Sequence, residues 1–300
     1  MTQGFLDPRR PFFYALSFIG DNTGMPSRSP LYDPSVAFAF FESAGKREIV
    51  AAGTRFFIEN EKGSRIFFQR DKIYLLVEGE VGLIIGHETI GTVSQGQIFG
   101  EMTAITQLPR SATAVANRPC TVIALDDKQF RAGLAKQPAF ALMLMSIMIG
   151  RLRETIGRLR VASALQGGDA LEQSSAFDPK RLAELVAKLS DDPPVYFDRR
   201  KPIVQEGQAG TRMYVVLEGT VAVFIGGKVV ERLGPGGVFG ELALVEQSPR
   251  LASVFAETDC QVLPVNRVAF LQLVKTSPEF ASSLLGALAE RLRILTAKLK

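Results

Sequence analysis

A glutamate and an arginine nine residues apart, Glu101 and Arg110, are the only charges in the stretch "GQIFGEMTAITQLPRSATAVA". The same pair returns as Glu241 and Arg250 in "GGVFGELALVEQSPRLASVFA", displaced by 140 residues. Arginine offers a rigid fork of donors that fits two oxygens of an anion such as phosphate. The glycine before each glutamate, Gly100 or Gly240, lets the chain turn tightly, and a short helix starting at the glutamate aims free N–H groups at the same anion. The glutamate repels a phosphate, so its use is to accept hydrogen bonds, and a ribose hydroxyl beside a nucleotide phosphate is a suitable donor. Two readings stand side by side at this point. Each pair holds two ends of one ligand, or glutamate and arginine neutralise each other as an internal ion pair.

The elements that position these residues are themselves duplicated. Eight of the eighteen positions starting at Phe99 and Phe239 are identical, against roughly one expected from average composition, which establishes an internal repeat. "IYLLVEGEVGLIIG" (73–86) matches "MYVVLEGTVAVFIGG" (213–227) at the same offset. Each repeat reads as short β-branched and aromatic strands punctuated by glycine, proline and aspartate, which predicts an antiparallel barrel or sandwich. Glu78-Gly79 and Glu218-Gly219 mark tight turns. Each set of strands is followed by helices, and Leu142, Met145, Ile149, Leu152, Ile156 and Leu159 form a heptad seam, as do Leu285, Leu288, Leu292, Leu295 and Leu299. Such helices want a partner: another chain, the other repeat or their own barrel. The resulting division is a lead segment (1–33), a first domain with a long C-terminal helix (34–165), a polar linker around Gly167-Gly168 (166–177), and a second domain (178–300) opened by a helix that Asp178 caps and Pro179 starts. The first repeat carries about seven extra residues near 57–72.

Three hundred residues, 46% hydrophobic and 22% charged, suit two globular domains rather than disorder or a membrane protein. The longest apolar run, Ala139 to Gly150, is shorter than the roughly 20 residues of a membrane span and reads as a buried helix. The N-terminal "RRPFFYALSFIG" lacks a small-residue cleavage site and reads as a segment packed on the first domain. Cys120 and Cys260 are equivalent positions and read as buried thiols, with nothing pointing to an oxidising compartment; a cytoplasmic protein is expected. The net charge is +4, with basic residues gathered at Arg151, Arg153, Arg158 and Arg160 and at Arg291, Arg293, Lys298 and Lys300. No aromatic residues interleave with them, so they read as solvated helix faces rather than a nucleic-acid surface.

"FGELALVEQSPRLAS" resembles the phosphate-binding cassette of cyclic nucleotide-binding domains, and both copies share its Phe-Gly-Glu start, the proline and the arginine. The resemblance implies a mainly β fold with helices: two jelly-roll β-barrels, each flanked by helices including a long C-terminal one. It further implies a cAMP or cGMP ligand. Glu101 and Glu241 would take the ribose 2′-hydroxyl, Arg110 and Arg250 the cyclic phosphate, with amides near Gly100, Thr103, Ala112, Gly240, Ala243 and Ala252 assisting. Phe99, Met102, Phe239 and Leu242 complete the two cassettes. Ser111 adds a hydroxyl beside the first arginine; Leu251, its counterpart, cannot.

The function expected on these grounds is a non-catalytic cyclic nucleotide receptor that signals through its C-terminal helices, by homodimerisation or to a partner protein. The alternative is a nucleotide-free scaffold of two barrels used for dimerisation or docking. No cofactor or metal is expected, since the lone histidine, His87, lies in a hairpin turn and cannot furnish a cupin or haem site. No helix-turn-helix follows the second barrel, so direct DNA binding is not expected, nor is membrane association.

Overall fold

The computed structural model describes residues 33–61, 71–161, 175–189 and 192–297. The first unit runs α1 (Pro34–Ala44), β1 (Lys46–Val50), β2 (Arg55–Phe57), β3 (Lys72–Glu78), β4 (Val81–Ile85), β5 (Glu88–Val93), β6 (Ile98–Phe99), α2 (Glu101–Thr106), β7 (Thr113–Ala116), β8 (Cys120–Asp126), α3 (Asp127–Lys136) and α4 (Pro138–Val161). The second repeats this plan as α5 (Pro179–Lys188), β9 (Val195–Phe197), β10 (Pro202–Val204), β11 (Arg212–Glu218), β12 (Val221–Ile225), β13 (Lys228–Leu233), β14 (Val238–Phe239), α6 (Glu241–Glu246), β15 (Ser253–Ala256), β16 (Cys260–Asn266), α7 (Arg267–Thr276) and α8 (Pro278–Ala297). The lead segment to residue 32, most of the linker and most of the extra stretch near 57–72 lie outside the described residues, as do Leu299, Lys298 and Lys300.

Each unit holds two antiparallel four-stranded sheets, β1-β8-β3-β6 with β2-β7-β4-β5, and β9-β16-β11-β14 with β10-β15-β12-β13. This is the jelly-roll arrangement expected. Strand β3 shows why its sequence is apolar without a break. Tyr74 and Leu76 face the first barrel's interior beside Phe99, Val122 and Ala124. Ile73 and Leu75 face outward, under the helices, with Phe40, Phe41, Phe130 and Phe140. A strand covered on both faces loses the usual alternation. Gly79 and Gly219 take φ of 105° and 79° in the turns assigned to them.

Capping follows the sequence signals. Asp178 accepts a hydrogen bond from Arg181 N at 2.9 Å with Pro179 behind it in the first turn of α5. Asp126 and Gln129 form a capping box on α3. Cys120 and Cys260 are free and buried, and His87 is exposed in the β4–β5 turn. Among the described residues no single helix is long and apolar enough to cross a membrane.

The heptad seams meet each other within one chain. α4 packs along α8, and Met145, Ile149, Leu152, Ile156 and Leu159 share one continuous buried cluster with Leu285, Leu288, Leu292 and Leu295. Of the partners the pattern left open, the other repeat is the one that covers these residues. The apolar run 139–150 is the buried half of α4. Crossed contacts accompany this pairing: the cassette helix α2 packs on α8, and α6 packs on α4.

Candidate functional site

Gly100 and Gly240 sit at the N-caps of α2 and α6 with φ of 80° and 81°. A side chain there would be strained by the left-handed backbone, and it would also strike the arginine nine residues beyond the glutamate: a Cβ at Gly240 would lie 2.5 Å from Arg250 Nη1. The glycine thus lets backbone and guanidinium approach closely. Arg110 donates from Nη1 to Gly100 O at 2.9 Å and from Nη2 to Lys72 O at 3.0 Å. Arg250 does the same with Gly240 O at 2.7 Å and Arg212 O at 2.5 Å. Two carbonyls hold each fork in one plane, which orients it without neutralising it.

Both arginines are buried, 5% and 8% exposed. Burial pushes each guanidinium below its ordinary value, opposed at Arg110 chiefly by Asp71 and at Arg250 by Tyr214 and Glu241. Arg110 also stacks over Phe57, 4.2 Å from the ring centre, a contact worth about 1 kcal/mol or more when shielded from water.

Glu101 and Glu241 are each 1% exposed, and neither pairs with the arginine of its own cassette. Glu101 Oε1 accepts from Arg151 on α4, whose Nη2 also donates to Ile98 O at 2.9 Å. Glu241 Oε1 accepts from Arg291 on α8 at 2.5 Å, and Arg291 also bonds Val238 O. The internal pairing of glutamate with arginine is therefore not what the structure contains. A correction to the sequence reading follows too: Arg151, Arg153 and Arg291 pair with carboxylates of the cassette helices instead of forming freely solvated helix faces. Arg153 reaches across to Glu246 and Ser248 at the end of α6, and Arg291 is only 11% exposed. The missed signal lay in the repeat: Arg151 and Arg291 each stand 50 residues after their glutamate.

The copies differ around this frame. Asp71 Oδ1 lies 3.3 Å from Arg110 Nη2, whereas Thr211 holds the matching place in the second repeat. Glu231, buried on β13, binds Arg291 at 2.9 Å, and its counterpart is Gly91. Burial holds the Glu241 carboxyl above its ordinary range despite the opposing charge of Arg291.

All eight residues predicted for the first site, Phe99, Gly100, Glu101, Met102, Thr103, Arg110, Ser111 and Ala112, line one cavity of about 520 Å³. Their counterparts frame the second cassette: Phe239 ends β14, Gly240 caps α6, Glu241 to Ala243 open that helix, and Arg250 follows. Leu251 and Ala252 pack against the apolar cluster, and the Leu251 side chain carries no hydroxyl to match that of Ser111. Two buried side-chain polar atoms have no hydrogen-bond partner among the described residues, Glu241 Oε2 and Ser146 Oγ. One belongs to the second cassette, and Ser146 lines the first cavity. Buried polar atoms are rarely left so. No group of three or more acidic, histidine or cysteine side chains among the described residues is placed to hold a metal.

The family description "Cyclic nucleotide-binding domain" matches residues 57–137 and 194–277, together more than half of the chain. The chain belongs to the cyclic nucleotide-binding domain family. Both matched segments of this cyclic nucleotide-binding protein contain a complete cassette. Its curated relatives include a cAMP-dependent protein kinase regulatory subunit of Colletotrichum orbiculare, 30% identical over 226 residues (74% of this chain, 51% of that one). Another, from Eremothecium gossypii, is 29% identical over 217 residues (71% and 43%). The chain spans about half the length of the curated relatives it matches. Among solved structures it resembles the catabolite activator protein of Thermus thermophilus (33% identity, 42% of this chain and 62% of that one, TM-score 0.38). It also resembles cAMP-bound PfPKA-R (23% identity, 81% and 77%, TM-score 0.31). Superpositions this partial carry no argument of their own.

Proposed function

We propose that this chain is a non-catalytic receptor for a cyclic nucleotide, cAMP or cGMP, and that its C-terminal helices pass occupancy on to a partner protein. The observation that carries the reading is the unpaired Oε2 of Glu241. It is a buried acceptor beside an arginine fork, and a ribose hydroxyl supplies the donor it lacks while the adjoining cyclic phosphate meets the fork. In this reading Glu101 and Glu241 take the ribose 2′-hydroxyl, and Arg110 and Arg250 take the phosphate. Ser111 assists in the first site only.

The route to the helices is short. Arg151 on α4 and Arg291 on α8 hold the same carboxylates that the ribose would engage. A ligand that binds one helix position better than another shifts the equilibrium between them by that difference. The curated relatives are named as kinase regulatory subunits, which supports a protein kinase as the partner class. Melting curves of the whole chain test the receptor reading: cAMP or cGMP in excess over its dissociation constant raises the melting temperature, and non-cyclic AMP does so less. No shift with either cyclic nucleotide would leave the scaffold of two barrels as the better account.

Asp71 supplies a prediction specific to the first site. It competes with a phosphate for Arg110, and no carboxylate does so at Thr211. Asp71→Asn is expected to tighten nucleotide binding at the first site by about two- to fivefold, the range of a partly exposed ion pair, with the second site unchanged. Calorimetric titration reads both.

A further inference from the structure

The outer face of one sheet distinguishes the two units. In β10-β15-β12-β13, Val221, Val223, Ile225 and Val254 are buried in the core, so the alternate residues Ala222, Phe224, Ser253 and Phe255 lie on the other face. Ala222 stands opposite Phe255, and Phe224 opposite Ser253. The two phenylalanines meet edge to face, with ring centres 5.4 Å apart. Together with Val229 of β13 they floor an open groove of about 600 Å³. Both rings remain partly exposed. The first unit has Ile84, Val115 and Thr89 in these places. None of the residues assigned to the cassettes lines the groove.

One end of the groove is basic. Arg199 and Arg200 border it, and the exposed Lys201 follows them. Arg200 N donates to Ala256 O as Gly53 N donates to Ala116 O, both at 2.7 Å. The two turns therefore correspond, and three consecutive cations stand where the first unit has Ala52, Gly53 and Thr54. Arg200 takes φ of 70° where Gly53 takes 77°. That region suits glycine and is unfavourable for arginine, so the turn itself gives no reason for the side chain. Among the described residues no carboxylate pairs with these cations. Arg199 Nε donates to the carbonyl of Glu257 at 3.1 Å, and the Glu257 carboxylate is taken by Arg232 at 2.9 Å. Glu206 marks the opposite end: its N–H donates to Ser253 Oγ at 2.9 Å, and its carboxylate accepts from Gly226 N at 3.3 Å.

We propose that this groove is a docking surface for an acidic segment of a partner protein. Carboxylates of the segment meet Arg199, Arg200 and Lys201, and an adjoining aromatic or aliphatic side chain covers Phe224 and Phe255. Exposed cations without partners beside an apolar floor are complementary to that chemistry. A nucleic acid fits less well, because its phosphates continue along the whole groove and meet Glu206 at the far end. A segment that is acidic at one end and apolar in the middle avoids that repulsion. The first unit has neither the cations nor the aromatic floor, so one such segment binds per chain.

The test selects short random peptides, displayed on phage, against the whole chain. Selected peptides are then measured by fluorescence anisotropy on wild type, on Arg199→Ala with Arg200→Gly, and on Phe224→Ile, changes that install the first unit's residues. Arg200→Gly relieves an unfavourable backbone conformation, and melting curves check that every variant is folded. Selection is expected to enrich peptides with acidic residues next to an aromatic or aliphatic one. Their affinity should fall about three- to tenfold in the double arginine variant and about two- to fivefold in Phe224→Ile, and added salt should weaken binding to wild type. No enrichment, selected peptides without acidic residues, or an affinity unchanged in the double variant would overturn the proposal. So would a single-stranded oligonucleotide that binds wild type more tightly than the peptides and loses affinity in the double variant. Dimerisation of wild type that the double variant abolishes would assign the face to a second copy of the chain, with the same consequence.

Discussion

Replacing Arg291 with methionine is expected to destabilise the chain by about 3 to 5 kcal/mol, the range for removing one partner of a buried ion pair. Arg291 lies between two carboxylates, with Nε 2.9 Å from Glu231 and Nη1 2.5 Å from Glu241. Methionine fills much of the volume but leaves both acids buried without their cation. The loss depends on pH with a definite sign. Burial already raises the Glu241 carboxyl, and the charge of Arg291 is what restrains it. Without that charge the folded-state value rises further above the unfolded one, which is about 4.3. A group raised in this way binds its proton more tightly in the folded chain. Its stabilising contribution is complete below the unfolded value and is lost as pH rises through the folded one. Urea denaturation therefore finds the variant weakest near neutral pH and partly restored on acidification relative to wild type. A midpoint equal to wild type, or a deficit that does not change with pH, would count against the buried triad.

Arg250→Leu is expected to weaken nucleotide binding at the second site by about 10- to 100-fold, since hydrogen bonds to charged groups contribute about 1.5 to 3 kcal/mol. The fork is held by Gly240 O and Arg212 O, so its geometry is set before a ligand arrives and little ordering is required on binding. Arg250→Lys separates charge from geometry: it retains a cation but cannot present two parallel donors, and its affinity should fall between wild type and leucine. The corresponding change at Arg110 acts on the first site alone. Titration curves that keep their affinities and stoichiometry in both leucine variants would remove the arginines from the binding account.

Much of the site was legible because it was written twice. Glycine, glutamate and arginine at fixed spacing needed no long-range information, since the turn at Gly100, the start of α2 and the path back to Arg110 all lie within eleven consecutive residues. Local chemistry likewise identified the cap at Asp178 and the buried thiols. The partners of the glutamates were not legible in that way. Whether Arg151 is solvated depends on how α4 lies across α2, and an amphipathic pattern fixes a helix's apolar stripe without fixing what its charged residues meet. The heptad seams show the same limit. They demanded a partner, and only the packing of α4 on α8 identified it as the other repeat. Asp71 and Glu231 were missed for a further reason: each is present in one copy only, so the duplication that drew attention to the cassettes drew none to them.

These unequal surroundings bear on how the two sites behave. The first arginine shares its charge with Asp71, and the second does not. The second glutamate is held by an arginine that Glu231 also binds, whereas Gly91 leaves Arg151 without that second acid. Each C-terminal helix touches both cassettes, α4 through Arg151 and Arg153 and α8 through Arg291 and Arg293. A common helix is a physical means by which filling one site alters the other, with the reciprocity that linkage requires.

Titration calorimetry of the whole chain with cAMP and with cGMP tests the central claim most directly. The account predicts two binding events per chain with different affinities, one of them weakened about 10- to 100-fold by Arg250→Leu and the other by Arg110→Leu. Absence of binding by either cyclic nucleotide to the wild-type chain would contradict it.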